Sequence, residues 1–173
     1  MIMNDQRGTT LIETAIMIAV LGILSMMAMP TIATSIQTLR LNNAAQKLAM
    51  DIRYVRSLAL SHHGTYGVDF DLNNDNTVDG DGYSLFSLSG GTQTTITDPH
   101  RNGSMVIDYD TMSEYSGVTI ASAGSVQLRI DSFGKPYNAA GTALSSAMTV
   151  TLHCGSLSRN VLITQETGFV ELT

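Results

Sequence analysis

The chain has 173 residues, enough for one domain of ordinary size and an additional element, and 43% of its residues are hydrophobic. Its net charge is −6, and its nine Lys and Arg residues are scattered. This charge argues against a surface that binds nucleic acid, because phosphates are held mainly by basic side chains. The lone cysteine, Cys154, cannot form an intrachain disulfide and is expected to be a small buried residue on a strand.

An apolar run begins near the N-terminus, after the polar start MIMNDQRG. Residues 11–29 contain one charged residue, Glu13. Nineteen residues rising about 1.5 Å each make a helix of roughly 28 Å, close to the hydrocarbon thickness of a bilayer. A secretory signal peptide would end in a small-residue cleavage site, and this run continues without one. The run therefore predicts a membrane-spanning helix, and a simple membrane anchor is one alternative.

Glu13 is the feature that a simple anchor does not explain. An ionised carboxylate inside a membrane helix costs a few kcal/mol unless a positive partner is present. Cleavage after Gly8 would give Thr9 a free α-amino group, one helical turn from Glu13. In stacked copies, the amine of one subunit could pair with Glu13 of its neighbour and set the register between them. Alternatively, Glu13 lies at headgroup level, where the helix macrodipole favours it.

Residues 7–13, RGTTLIE, resemble the prepilin peptidase site of type IV pilins and type II secretion pseudopilins. The resemblance implies cleavage between Gly8 and Thr9, and methylation of the new N-terminus by the same peptidase. Gly22 and Pro30 fall where pilins of this kind often loosen or kink the anchor helix. The family usually has Phe or Met after the cut, so Thr9 is a departure that bears on the efficiency of processing.

A second helical segment follows Pro30, which predicts a kink or a locally melted turn. Gaps of three and four indicate one buried helical face, formed by Ile32, Ile36, Leu39, Leu41, Ala45, Leu48, Ile52 and Val55. The predicted polar face consists of Gln37, Arg40, Asn43, Lys47 and Asp51. The helix is predicted to end near Leu60, with Gly64 as the left-handed cap.

Residues 69–82 are rich in Asp and Asn. Candidate ligands for a calcium ion are Asp71, Asn73, Asp75, Thr77, Asp79 and Asp81. The first three have the spacing at which EF-hand loops place oxygen ligands. However, Asn76 replaces the expected glycine, and Gly82 stands where the loop would need a glutamate. The alternative is a solvated hairpin loop, since turns favour Asp and Asn.

After Gly64 the hydrophobic period changes to two. The predicted strands are 65–70, 83–88, 105–109, 117–120, 125–131, 147–153, 159–164 and 169–172. Alternation of apolar and polar residues is typical of antiparallel sheet with one wet face. The predicted fold class is α+β, a long N-terminal helix packed on antiparallel β-sheet. The predicted organisation is a leader (1–8), a membrane-spanning and filament-core helix (9–30), an amphipathic helix (31–62) and a periplasmic β-rich domain (63–173).

Residues 51–61 (DIRYVRSLALS) and 130–136 (IDSFGKP) resemble the GspH/FimT family of minor pilins and pseudopilins, over most of residues 45–170. The resemblance implies a pilin-like subunit at or near the tip of a type II secretion pseudopilus or type IV pilus, assisting assembly and secretion. It implies a single-pass protein of the bacterial inner membrane with its domain in the periplasm. The implied partners are other pilin and pseudopilin subunits, the prepilin peptidase and the inner-membrane assembly platform.

Two functions of other classes are alternatives. Some FimT-like subunits bind DNA during natural transformation, which needs a basic tail or groove, and Arg159 is the only base in residues 158–173. An enzyme on an uncleaved anchor is the other. Neighbouring residues on a strand face opposite sides, so His153 and Cys154 cannot act as a nucleophile and its base. The adjacent His62 and His63 are expected to mark a helix end. We therefore expect neither nucleic-acid binding nor catalysis.

Overall fold

The structure is a computed structural model that describes residues 10–73, 75–99 and 103–173, without the side chains of residues 26–31. The predicted leader (1–8) and the predicted cleavage site between Gly8 and Thr9 lie outside the described residues. The chain divides into two compact units, Met1–Ile36 and Gln37–Thr173.

One helix, α1, extends over Leu11–His62. It is assigned as helix through both Gly22 and Pro30, and the bend predicted at these two positions stays a prediction. Over the described residues, no helix combines the length and the apolar character needed to cross a membrane.

The C-terminal end of α1 differs from the prediction in one residue. His63, not Gly64, takes the left-handed conformation, with φ of 50°. The N–H of Gly64 then donates to the carbonyl of Ala59 at 3.3 Å, the long backbone bond of a Schellman cap. Histidine enters the left-handed region more readily than most residues with a Cβ, so it can fill the position usually taken by glycine.

Among the described residues, ten strands and a short 3₁₀ helix, Ser113–Tyr115, follow α1. The strands are β1 (Thr65–Asp69), β2 (Gly82–Ser89), β3 (Thr92–Thr95), β4 (Val106–Asp108), β5 (Val118–Ala123), β6 (Gln127–Ile130), β7 (Pro136–Tyr137), β8 (Met148–Cys154), β9 (Leu157–Ile163) and β10 (Val170–Leu172). Each predicted strand overlaps one of these. The sequence did not predict β3 and β7, since β3 is exposed at every residue and has no apolar alternation, and β7 has only two residues.

The strands form two antiparallel sheets. The first has the order β3-β2-β1-β6-β7, with β4 also paired to β2, and the second has the order β10-β9-β8-β5. The predicted α+β class, a long helix packed on antiparallel sheet, is confirmed. The helix touches both sheets, because Tyr83 of β2 bonds Asp51 and Val170 of β10 bonds Arg53.

The buried face of α1 starts later than predicted. Its buried apolar residues are Leu41, Ala44, Ala45, Leu48, Ala49, Ile52, Val55 and Ala59, each at most 2% exposed. Ile32, Ile36 and Leu39 were predicted on this face but are 59%, 44% and 61% exposed. Spacing of three and four identifies a stripe along a helix, but it does not say how far the sheets cover it. Asp51, predicted on the polar face, is buried at 4% exposure.

Strands β2 and β4 approach so closely that one position admits only glycine. A Cβ added to Gly82 would lie 2.0 Å from the carbonyl oxygen of Ile107. This oxygen belongs to the backbone of the paired strand, so it cannot rotate away as a side chain can. The close pairing of β2 and β4 therefore depends on the absence of a side chain at residue 82.

Gly82→Ala is expected to destabilise the full-length protein by about 1–3 kcal/mol, because the strands must separate to admit the methyl group. The measurement is urea unfolding of the detergent-solubilised chain, with Gly103→Ala as the control. A Cβ at Gly103 would meet nothing within 4 Å, so that variant should change stability by less than about 0.5 kcal/mol. Equal stabilities of the two variants would contradict the packing described for β2 and β4.

Candidate functional site

The first part of α1 is apolar around its whole circumference. Its exposed large apolar side chains are Leu11, Ile12, Ile16, Met17, Ile18, Val20, Leu21, Ile23 and Leu24, each between 48% and 88% exposed. Successive helical residues are about 100° apart, so these positions leave no polar side. A helix that is hydrophobic all round is normally buried in a larger core or a membrane. This segment is therefore the candidate surface for assembly.

Glu13 is the unmatched charge of this segment. The other polar side chains there bond to the helix itself: Thr14 donates to the carbonyl of Leu11 at 2.9 Å, and Ser25 to that of Leu21 at 2.8 Å. Glu13 is exposed in the first turn and has no hydrogen-bond or ion-pair partner for its carboxylate among the described residues. Its predicted partner, the α-amino group of Thr9, lies outside them.

A polar cluster joins α1 to the first sheet. The ammonium of Lys47 lies 2.6 Å and 2.7 Å from the two carboxylate oxygens of Asp51, and the hydroxyl of Tyr83 donates to Asp51 at 2.7 Å. The side chain of Asp51 is 5% exposed and that of Lys47 is 32% exposed. The sequence signal that could have revealed this cluster is the Lys–Asp spacing of four, which places both side chains on one helix face.

Three tyrosines continue from this cluster into the core. The ring of Tyr109 meets Tyr83 edge-on at 6.1 Å and Tyr115 at 5.5 Å. Burial raises the pKa of both Tyr83 and Tyr109. Both hydroxyls therefore stay protonated, and that of Tyr83 acts as a donor to Asp51.

The Asp- and Asn-rich loop connects β1 to β2 and is held by its own backbone. The carboxylate of Asp79 accepts bonds from the N–H groups of Leu72 at 2.6 Å and Asn73 at 3.0 Å, and from the side-chain amide of Asn73. Asp71 accepts bonds from the N–H groups of Asp75 at 3.1 Å and Asn76 at 2.7 Å. Loop N–H groups thus occupy the oxygens of these candidate ligands.

A second set of bonds fixes the tip of this loop. The hydroxyl and N–H of Thr77 both donate to Asp75, and these bonds lower the pKa of the Asp75 carboxyl. Asn76 takes the left-handed conformation, with φ of 66°, which asparagine tolerates better than most residues with a side chain. Asp81 contributes its backbone carbonyl to Tyr109 at 2.6 Å, and its side chain is exposed.

The donor arrangement does not favour calcium. Over the part of the loop that the structure describes, which omits Asn74, no group of three or more His, Cys, Asp or Glu side chains is arranged to hold a metal ion. The hairpin-loop alternative accounts for the bonds of Asp71, Asp75 and Asp79. Calcium binding stays a prediction.

The remaining residues that the sequence singled out are His153, Cys154 and Arg159. His153 is exposed and Cys154 is buried, as expected for neighbours on strand β8. Arg159 donates to the side chain of Asn42 on α1 at 2.9 Å. DNA binding stays an untested alternative.

Comparisons with known proteins agree on the fold. The family described as "Type II transport protein GspH" matches residues 44–168. The structure is similar to that of the type IV minor pilin FimU of Pseudomonas aeruginosa, with a TM-score of 0.51, 20% identity, and 77% of this chain and 87% of that chain covered. It is similar to the minor pseudopilin EpsH of the type 2 secretion system of Vibrio cholerae, with a TM-score of 0.54, 13% identity, and coverage of 78% and 96%. The comparison with curated proteins found no match.

Lys47→Met is expected to destabilise the protein by roughly 1–3 kcal/mol, because the buried carboxylate of Asp51 loses its counter-charge. The low end applies since Lys47 is partly exposed. The double variant Lys47→Met/Asp51→Asn should recover part of the loss. Urea unfolding measures the stabilities of Lys47→Met, Asp51→Asn and the double variant. If the double variant is less stable than Lys47→Met by the full effect of Asp51→Asn alone, the two residues do not interact.

Asp79→Ala is expected to lower stability by about 0.5–1.5 kcal/mol, because three loop donors, none of them fully buried, exchange their bond to the carboxylate for bonds to water. The melting temperature should fall by the same amount in calcium and in chelator. A melting temperature of the parent that drops on chelation, with no such drop in Asp79→Ala, would instead support the calcium prediction.

Proposed function

Because the chain belongs to the GspH family of type II transport proteins, we propose that it is a minor pseudopilin or minor pilin that enters a filament through helix α1. It has the fold of such subunits, and as a family member it is a structural component and not an enzyme. The observation that carries the proposal is the apolar segment of α1, whose large side chains are exposed on all sides in the single chain.

Two surroundings can cover such a segment, and the proposal uses both in turn. Before assembly, residues 9–30 lie in the inner membrane as a single span, with the domain in the periplasm. The prepilin peptidase cuts between Gly8 and Thr9 and methylates the new N-terminus, and the inner-membrane platform passes the subunit into the filament. There, the helices of other pilin or pseudopilin subunits replace lipid around the segment.

Glu13 favours the transfer of the subunit from the membrane into the filament. Lipid tails provide no positive charge, so an ionised Glu13 costs a few kcal/mol in the membrane. In the filament, the amine of Thr9 on a neighbouring subunit pairs with it and removes that cost. Each 1.4 kcal/mol corresponds to a tenfold change in an equilibrium constant. The few kcal/mol that the pair recovers are therefore enough to favour the filament over the membrane and to fix the register between subunits.

The filament is a type II secretion pseudopilus or a type IV pilus, and the description of the matched family favours the former. A position at or near the tip, where the subunit assists assembly and secretion, is part of the proposal. The resemblance of residues 45–170 to minor pilins and pseudopilins supports it.

Glu13→Gln is expected to reduce incorporation into filaments at least tenfold, since the amide keeps the shape of the side chain but removes its charge. Membrane insertion should be unchanged or improved. Immunoblots of sheared filaments and of membranes measure both, with Ser25→Ala as the control, because Ser25 bonds only its own helix. Incorporation of Glu13→Gln at the level of the parent would contradict the pairing.

A further inference from the structure

Two phenylalanines are exposed on neighbouring turns of the domain. Phe133 is 87% exposed in the turn between β6 and β7, and Phe169 is 57% exposed at the end of the turn between β9 and β10. The two turns touch, because a Cβ on Gly168 would lie 2.9 Å from the carbonyl oxygen of Gly134. Leu60 of α1, 39% exposed, lies beside them, with its Cδ2 3.5 Å from the Cβ position of Gly134.

The turn that carries Phe133 is rigid. One carboxylate oxygen of Asp131 accepts bonds from the N–H groups of Phe133 and Lys135, each at 2.9 Å. The other accepts the hydroxyl of Tyr137 at 3.0 Å. The backbones of Asp131 and Lys135 also pair at 3.1 Å. These bonds fix the backbone of the turn at a position where Phe133 is exposed.

The turn that carries Phe169 is fixed in a similar way. The N–H of Thr164 donates to the carbonyl of Phe169 at 2.9 Å, and the N–H of Gly168 donates to the carbonyl of Thr164 at 3.0 Å. The hydroxyls of Thr164 and Thr167 bond each other at 2.9 Å. Because the backbone of both turns is already fixed, binding a partner here costs little further backbone entropy. This favours binding.

Arg56 lies under both turns, and its Nε has no acceptor among the described residues. Its Nε is 3.3 Å from the Cβ position of Gly134 and 3.9 Å from that of Gly168. This Nε is buried without a hydrogen-bond acceptor, and Arg56 has no hydrogen bond or ion pair with any described residue. The other described arginines each have an acceptor: Arg40 bonds Ser116, Arg53 bonds Val170, Arg129 bonds Gln127, and Arg159 bonds Asn42.

An unpaired guanidinium beside exposed aromatic rings has the chemistry of a carboxylate receptor. Arginine presents donors in a planar fork that matches a carboxylate. Other charged residues lie close to the patch along the chain: the cations Arg53, which donates to the carbonyl of Val170, and Lys135, and the exposed acids Glu166 and Glu171. A partner segment that carries a carboxylate therefore complements the charge of Arg56.

We propose that the two-turn patch, formed by Arg56, Leu60, Phe133 and Phe169, binds a segment of a different filament subunit that carries a carboxylate between apolar side chains. The carboxylate pairs with Arg56, and the apolar side chains pack on the two phenylalanines. This inference rests on the proposed function, because it names a contact within the same filament.

The test replaces Phe133 with the photo-crosslinking residue p-benzoyl-phenylalanine in the full chain, in cells that assemble the filament. The expected adduct is another pilin or pseudopilin subunit, identified by mass spectrometry, with an Asp or Glu in the crosslinked peptide. The same crosslinker at Thr94, exposed on β3, is the control and should give no such adduct. Adding Phe169→Ser or Arg56→Gln should reduce the Phe133 adduct at least fivefold.

Because Phe169 is exposed, Phe169→Ser should leave the melting temperature unchanged. A lower adduct yield in this variant then reflects weaker binding and not a loss of folding. An adduct with a second copy of this chain, with lipid alone, or no adduct at all would overturn the inference. An adduct yield unaffected by both substitutions would also overturn it. If the parent chain enters filaments without a Phe133 adduct, this inference alone fails, whereas a parent absent from filaments refutes the proposed function.

Discussion

Helix α1 has more apolar surface than a single copy of the chain covers. Between Leu41 and Ala59, one stripe of the helix is buried at 2% exposure or less, whereas residues 11–24 expose large apolar side chains on all sides. Each 100 Å² of apolar surface left in water costs about 2.5 kcal/mol, so the segment needs lipid or other helices around it. Lipid tails and the helices of other subunits are equally apolar surroundings. In the proposed pairing Glu13 distinguishes them, because hydrocarbon tails carry no positive charge, whereas a neighbouring subunit would bring the α-amino group of its Thr9.

A different set of interactions fixes the C-terminal part of α1 against the two sheets. Four of the eight buried apolar residues of α1 are alanines, which allow a close approach to the sheets but offer little shape to fix the rotation of the helix. The bonds that Asp51 makes to Lys47 and Tyr83 are directional, and Arg53 adds one to the carbonyl of Val170 at 2.9 Å. Together they specify which face of the helix meets which sheet. The two-turn patch lies where this helix ends, so correct seating also positions Arg56.

The sequence was sufficient for the helix, the fold class and most strands, because these depend on hydrophobic period. It was insufficient where a single residue serves a long-range contact. Asp51 looks like a solvated residue until Tyr83, 32 positions away, provides its buried partner. Strand β3 has no apolar alternation to reveal it, since pairing with β2 alone defines it. Phe133 lies between the predicted strands 125–131 and 147–153, and its exposure became visible only with the bonds that Asp131 makes around it.

The intact mass of the chain isolated from filaments tests the central claim most directly, because the proposed partner of Glu13, the α-amino group of Thr9, would exist only after cleavage behind Gly8. We predict a polypeptide that begins at Thr9 and carries one additional methyl group on its terminal amine. A filament-borne chain that still begins at Met1 would lack that amine next to the apolar segment. Such a chain would contradict the pairing through which neighbouring subunits are proposed to hold one another.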